Sequence, residues 1–488
     1  MNAAQASVPK TPSESQEISL RLEIDRSARV PVLFAFACAI FWLLAGSLLG
    51  LASAWKLTCP WLLDGIPWLT FGRLRPAHLC AVAYGWASLS GIGAGLWMTA
   101  RLCRIPTIEP RLITVSICLW NLGLTAGLLG ILTGGGNSRE WLEMPGYASH
   151  ILIAAFLLLA GWMLAMFFKR APVAPYISEY YLLAALLWFP WIYATANMLL
   201  VWRPVPGPAQ PAVHWWFAQN FYSLWIVPLG LASAFYLIPK ILGVPLHSKR
   251  LASLGFWSLA ALAAWSTGQH MIGGPLPSWM APAATAAGIL SLVPVATVAA
   301  NLHLTMRGHF DKLLTSPSLR FTVFGAVAYT ATALPGTLLA LPSFNAVAHF
   351  TDFTIGHSHL GMYAFFSMVM FGAIYFIAPR LTGGEWPSAP LIRWHFRLSA
   401  SGIVLMVMAL SLGGLLQGLA LADPDAAFKT SVAFASPFRW IRGLAGFLLL
   451  AGHVLFAWHF VRMLVSPLRG QAIPTLLTGS DARDPAIP

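Results

Sequence analysis

The sequence predicts an all-α, polytopic integral membrane protein of about twelve transmembrane helices. Hydrophobic residues fill 58% of the 488 positions and charged residues only 9%, too few charges to coat a water-soluble body of this length. Long apolar runs recur from one end of the chain to the other, each near the roughly 20 residues a helix needs to cross about 30 Å of hydrocarbon. The basic residues fall in short segments between those runs, and 21 of the 29 lie on one side of the alternation. That asymmetry sets orientation in a bilayer.

Residues 1–29 read as a polar cytoplasmic tail. It has no apolar core, so no cleavable signal peptide is expected and the first span directs insertion. That span covers 30–54. An outer loop with Trp and Pro (56–73) leads into the second span, 75–100, which ends at Arg101. The third, 111–134, and the fourth, 148–169, flank a Gly-rich outer loop. The fifth, 178–202, follows the inner pair Lys169 and Arg170, and the Pro-rich loop 203–213 leads to the sixth, 215–239, which stops at Lys240. The seventh, 252–272, starts after Lys249 and Arg250. The eighth, 282–306, ends at Arg307, and the ninth covers 317–341. The tenth, 350–379, ends at Arg380, the eleventh covers 394–420, and the twelfth, 440–466, follows the outer loop 421–438. Residues 30–466 thus form one membrane domain, followed by a cytoplasmic tail, 467–488. Both termini are expected in the cytoplasm of a bacterium, with the chain in its inner membrane. The 22 Trp residues fit interfacial belts. The outer loops, rich in Gly, Pro and Trp, suit a cap over the outer face.

This topology excludes several functions. A net charge of +13 would suggest nucleic acid in a soluble chain, but here it is topology, and no nucleic-acid partner is expected. The five cysteines, Cys38, Cys59, Cys80, Cys103 and Cys118, form no CxxC or CxxCH, so neither a thiolate cluster nor covalent haem attachment is read. No pair of broken helices or symmetric halves points to a transporter. No carboxylate lies mid-span, so interior chemistry falls to His, Tyr, Ser, Thr and water, and proton pumping is not expected.

Ionisable side chains inside a membrane are costly and usually functional. Among the thirteen histidines, His247, His303, His309, His395 and His459 fall near the cytoplasmic side, where a solvated interfacial role is expected. His78, His270, His357 and His359 instead converge on the outer part of the bilayer from three spans. In Ile355-Gly-His-Ser-His-Leu-Gly361, the two histidines point about 200° apart on a helix, so they serve two separate groups rather than one metal. Neutral imidazole is a good axial haem ligand, and Gly356 and Gly361 let flat macrocycles approach. His78 can supply a second axial ligand to one of two haems.

These motifs resemble the catalytic subunit of cbb-type haem-copper oxidases, subunit I of the C family. Phe71-Gly-Arg-Leu-Arg-Pro-Ala-His78 is similar to that family's second-helix haem motif, and Phe350-Thr-Asp-Phe-Thr-Ile-Gly-His-Ser-His-Leu-Gly361 to its tenth. His214-Trp-Trp-Phe-Ala-Gln-Asn220 with Tyr236-Leu-Ile-Pro-Lys240 resembles the sixth helix. Pro275-Leu-Pro-Ser-Trp279 follows the seventh, and Trp440-Ile-Arg-Gly-Leu-Ala-Gly446 resembles the last-helix segment that meets haem propionates. The likeness runs in order from about residue 30 to 466. It implies two b-type haems. His78 and His359 would hold the low-spin, electron-transferring haem, and His357 would be the proximal, catalytic ligand of a high-spin haem that binds a gas. Arg442, Arg73 and Arg75 would pair with propionates, as a guanidinium suits carboxylates.

The pattern departs from the family at its copper site. The three copper-binding histidine positions read Gln219, Gln269 and His270, and Gln is a poor copper ligand beside imidazole. The family's tyrosine position is Ala263, its ninth-helix glutamate position is about Pro335, and the iron-binding glutamate of nitric oxide reductases is Ser223. His214, five residues from Gln219, is a further ligand to consider there. Copper is therefore expected to be absent. The resemblance implies an oxidoreductase that takes electrons from membrane-anchored c-type cytochrome subunits or soluble cytochrome c and passes them through haem b to a haem that binds dioxygen, nitric oxide or a related gas. The alternative is a haem subunit without turnover, for electron relay, gas sensing or scaffolding.

Overall fold

The computed structural model describes residues 14–465. The first half of the N-terminal tail, with Lys10, and the whole C-terminal tail read over 467–488 lie outside the described residues. The described chain is a bundle of twelve main helices: α1 Glu14–Lys56, α2 Phe71–Cys103, α3 Pro110–Thr133, α4 Gly146–Phe168, α5 Ile177–Trp202 and α6 Ala209–Leu242, α7 Lys249–Leu262, then α8 Met280–Met306, α9 Pro317–Ala340, α10 Asp352–Thr382, α11 Ala389–Ala422 and α12 Phe428–Val465. The protein is an all-α, multi-pass membrane protein.

The helix starts at Glu14, so the later half of the polar tail is not loop. Its polar residues are paired: Glu17 with Arg21 and Arg104, and Asp25 with Arg101 at 3.6 Å and with the Trp97 indole at 2.9 Å. These contacts tie the start of α1 to the end of α2. The seventh span, read over 252–272, is not one continuous helix. α7 stops at Leu262, and a separate 3-10 turn, Ser266–Met271, carries the chain on. The cause is the run Ser266-Thr-Gly268. These are weak helix formers, and the Ser266 and Thr267 hydroxyls donate to the carbonyls of Ala263 and Ala264 at 3.1 and 3.2 Å. Among the described residues, eleven helices are long and apolar enough to cross a membrane. The outer loop read over 421–438 is also shorter than expected, because α12 already starts at Phe428.

Two features place the site. First, α2, α6 and α10 are buried around most of their circumference, whereas the other spans leave at least half of their central windows at the surface. Second, each of those three helices winds into a π-helical stretch just after its site residues: Ala81–Ala87 after His78, Phe221–Ile226 after Gln219, and Leu360–Ser367 after His359. Wider turns of this kind rotate the following face relative to the preceding one and are common at functional sites. Here they let the outer half of each helix face the site while the inner half keeps its apolar packing.

Candidate functional site

The site is built from the starts of α2, α6 and α10 and from the 3-10 turn after α7. Arg73 opens α2. Its Nη1 donates to the carbonyls of Pro67 (2.9 Å) and Leu132 (3.0 Å), anchoring the outer loop to the end of α3. One turn later, His78 places Nδ1 2.7 Å from the Gly46 carbonyl of α1. A carbonyl can only accept, so Nδ1 carries the proton and Nε2 keeps a bare lone pair. His359 is set the same way, with Nδ1 2.8 Å from the Ile355 carbonyl. The two rings lie within electrostatic reach of each other and of Arg442.

His357 is held differently. Its Nδ1 is buried with no protein partner, and its ring packs against Gly336 of α9, where an added Cβ would come within 3.7 Å of Cε1. Arg442 also has a buried Nη1 without a partner. Its neighbour Arg439 is engaged, with Nε 2.9 Å from Asp352 Oδ2. Arg75 pairs with Glu140 at 3.3 Å. All three histidines keep some accessible surface although they sit inside the bundle, which marks clefts rather than sealed packing. A free Nε2 on two rings, an unpartnered nitrogen on a third and an unpartnered guanidinium together fit axial ligation and carboxylate pairing of two haems.

The side facing His357 holds His270 beside two glutamines, Gln219 and Gln269, rather than three imidazoles. The Gln219 carboxamide bridges: its Nε2 donates to Ser223 Oγ at 3.1 Å, and its Oε1 accepts from His270 Nε2 at 3.1 Å. Trp215 stacks flat on His270 at 4.5 Å and 9°. Gln269 does not join them. Its backbone carbonyl accepts from Asn345 at 3.0 Å, and its Oε1 is directed at Gly288 of α8. His214 is tied to the Glu140 carbonyl at 3.2 Å, and its ring lies 5.0 Å from Trp215 beside that cluster. Ala263 is buried, and Pro335 lies inside α9. The residues present do not fit a three-nitrogen copper site.

Sequence reading missed two members of this region. His349 stands 5.7 Å, ring to ring, from His270. It precedes Phe350, whose positive φ of 64° breaks the path between a short helix and α10, so helical spacing from His357 could not reveal it. Glu143, in the loop between α3 and α4, is 2% exposed. It accepts from the Cys80 thiol at 3.4 Å, while Tyr84 donates to the neighbouring Trp141 carbonyl. Burial pushes the Glu143 carboxyl up to about 8. The sequence reading also placed His395 and His459 in a solvated interface. Both are fully buried, because α11 and α12 pack along their whole length and enclose them.

Comparison with known proteins bears on the family and the fold. The family described as Cytochrome C and Quinol oxidase polypeptide I matches residues 30–448. The chain is 30% identical over 450 residues to a cytochrome c oxidase subunit 1 homolog, bacteroid, of Bradyrhizobium diazoefficiens, covering 88% of this chain and 81% of that one. It is 26% identical to the Cbb3-type cytochrome c oxidase subunit CcoN1 of Stutzerimonas stutzeri, covering 86% and 91%. A nitric oxide reductase chain of the same organism is 25% identical over 66% of this chain and 69% of that one. A solved haem-copper terminal oxidase dimer superposes with a TM-score of 0.69 at 14% identity, covering 96% of this chain and 88% of the other, which speaks for the fold.

Proposed function

We propose, from the premise that this chain belongs to the Cytochrome C and Quinol oxidase polypeptide I family, that it is the haem b-bearing membrane subunit of a respiratory oxidoreductase that works without copper. The observation that carries this reading is the contrast across the site. His78 and His359 each present a bare Nε2, His357 has an unpartnered nitrogen, and the opposite side offers the single imidazole of His270, hydrogen-bonded to Gln219, where copper would need three.

His78 and His359 hold the low-spin haem, and His357 holds the high-spin one. Bound haem iron supplies a one-electron carrier at the first position and a gas-binding position at the second. The residues do the rest. The Gly46 and Ile355 carbonyls fix the tautomer and orientation of the two ligand rings. Arg442 and Arg75 offer guanidinium groups to propionates; Arg73, bound to two carbonyls, holds the loop above them. Gln219 and Ser223 give the gas pocket a polar wall with a fixed hydrogen-bond direction. Electrons enter at the outer face from a c-type cytochrome, either a membrane-anchored subunit or soluble, and both termini lie in the cytoplasm.

The site also suits a haem subunit that relays electrons or senses gas without turnover, since the closed Gln219–His270 pair offers no second metal to assist bond cleavage. Metal analysis with reduced and carbon monoxide spectra tests both readings. Two b haems per chain, one carbon monoxide-reactive and no copper, is the expected result. His357→Ala removes the carbon monoxide-reactive haem and leaves the other. Stoichiometric copper, or unchanged haem content in His357→Ala, overturns the proposal.

A further inference from the structure

His78 and Gln219 stand near the starts of α2 and α6. Near the opposite ends of those two helices, a cavity of about 710 Å³ lies between the start of α1, the end of α2, the start of α5, the end of α6 and the start of α7. Alternation of the spans puts all five of those ends on the side of α1's start, and the charge asymmetry makes that side cytoplasmic. The volume falls within the roughly 300–1,000 Å³ of sites that bury a small organic ligand. Nothing in the proposed function uses this cavity.

Its walls are cationic at one level and aromatic at another. Arg21, Arg101, Arg104, Lys240 and Lys249 line it, against the carboxylates of Glu17 and Glu179. Glu17 is held by Arg21 and Arg104. Glu179 is held by Arg170 at 3.2 Å, and Arg101 by Asp25 at 3.6 Å. With those two outside partners included, six cations still face three carboxylates. A concave, partly dry surface with that excess attracts an anion. The aromatic level lies deeper. α7 enters the membrane from Lys249, with Ser253 one turn on and Phe256 and Trp257 about 10–12 Å on. The Phe256 ring meets Tyr180 at 5.9 Å and Trp257 at 5.1 Å. Tyr180 and Trp257 line the cavity and yet are 41% and 61% exposed. The cavity therefore reaches the outer surface of the bundle between α5 and α7, at a depth where hydrocarbon rather than water surrounds the protein.

We propose that this cavity binds one anionic phospholipid of the cytoplasmic leaflet. Its phosphate sits among the arginines of α1 and α2 and the lysines of α6 and α7, and an acyl chain runs along Phe256 and Trp257. Guanidinium groups fork onto phosphate oxygens, and the ammonium groups add point charge. Basic pockets between spans on the cytoplasmic side suit such headgroups. A soluble anion would use the cations but not the aromatic wall, which is why the occupant is a lipid. The bound lipid bridges the start of α1 to the start of α7. The proposal goes beyond the haem assignment and does not depend on it.

Native mass spectrometry of the purified full chain, titrated in detergent with dioleoylphosphatidylglycerol or dioleoylphosphatidylcholine, tests this. One phosphatidylglycerol stays bound per chain, and phosphatidylcholine, whose headgroup has no net charge, does not displace it. Lys249→Glu reverses one charge in the cavity. Position 249 is the first residue of α7, where a carboxylate suits the helix dipole, so helicity and elution stay unchanged. Affinity for phosphatidylglycerol falls by about tenfold or more. Ser253→Phe fills the cavity one turn deeper without altering charge and weakens binding to a similar degree. Lys312→Glu makes the same charge change on the short helix Lys312–Thr315 between α8 and α9 and leaves binding as it was. Equal retention of the two lipids, wild-type affinity in Lys249→Glu or Ser253→Phe, or an equal loss in Lys312→Glu overturns the proposal. Displacement of phosphatidylglycerol by equimolar inorganic phosphate also overturns it, by marking a site for free anions.

Discussion

His270 Nε2 lies 3.1 Å from Gln219 Oε1, and the same carboxamide donates to Ser223. With Nε2 donating to the amide oxygen, His270 keeps a lone pair on Nδ1 alone. A metal here would have that one imidazole nitrogen and must find its other ligands among amide oxygens, which rank below imidazole for copper. The wild-type protein should hold substoichiometric copper by elemental analysis. Gln219→His together with Gln269→His restores the three-imidazole set and should raise copper per haem. It should raise it only partly, because the Gln269 side chain is directed at Gly288 rather than at His270. A full copper complement in the wild type would refute this assignment.

The approach of α1 to α2 gives a second prediction. An added Cβ at Gly50 would stand 2.5 Å from His78 Nδ1 and 2.6 Å from Cε1. Neither ring nor helix can yield without breaking the 2.7 Å bond to Gly46. Gly50→Ala should therefore displace the His78 ring, and reduced spectra should show loss of the low-spin band with the carbon monoxide-reactive haem retained. Overpacking of this kind costs about 1–3 kcal/mol, so the protein should still fold. An unchanged low-spin spectrum would mean that His78 is not held where the geometry puts it.

How much of this was legible in the sequence follows from how each residue is placed. Helix count and order came from apolar run length, because each bilayer crossing repeats the same physical demand. His78, His357 and His359 could be singled out as candidates because local motifs carry them. His349 and Glu143 were not, since each reaches the site through an irregular segment whose path no periodicity encodes. The π turns after His78, Gln219 and His359 were invisible for the same reason: the residues in them read as ordinary helix. His395 and His459 were misjudged because depth along a span does not say which face packs inward. Only the α11–α12 contact decides that.

Arg442 supplies an electrostatic prediction. Its guanidinium is buried, with Nη1 unpartnered, and it acts on both His78 and His359. A nearby positive charge favours the reduced, less positive form of a haem between those rings. Arg442→Leu should lower the midpoint potential of the low-spin haem by something on the order of 100 mV, given Coulomb energies of a few kcal/mol at effective dielectrics near 20. Arg439 makes the useful comparison. It is paired with Asp352 at 2.9 Å, both side chains largely buried. Arg439→Leu strands that carboxylate and should act mainly on stability, by about 3–5 kcal/mol. Redox titration of the two variants at one pH separates the roles, and equal potentials in wild type and Arg442→Leu would refute the first.

Glu143 gives a prediction with a definite sign in pH. Burial raises its carboxyl from 4.5 to about 8 in the folded protein, so the fold holds a proton that the unfolded chain releases above about 4.5. Stability from this group is fully present below that value, declines through the window and is lost as pH rises past about 8. Glu143→Gln keeps a neutral, hydrogen-bonding side chain next to Cys80 and removes the titration. The difference in stability, variant minus wild type, should therefore grow from about pH 4.5 upward and level off near pH 8, with a ceiling on the order of 5 kcal/mol. Midpoint temperatures of haem release in detergent, measured for both proteins across that range, check the sign. A difference that shrinks as pH rises would show that Glu143 is ionised in the folded protein, stabilised by partners rather than neutralised by burial.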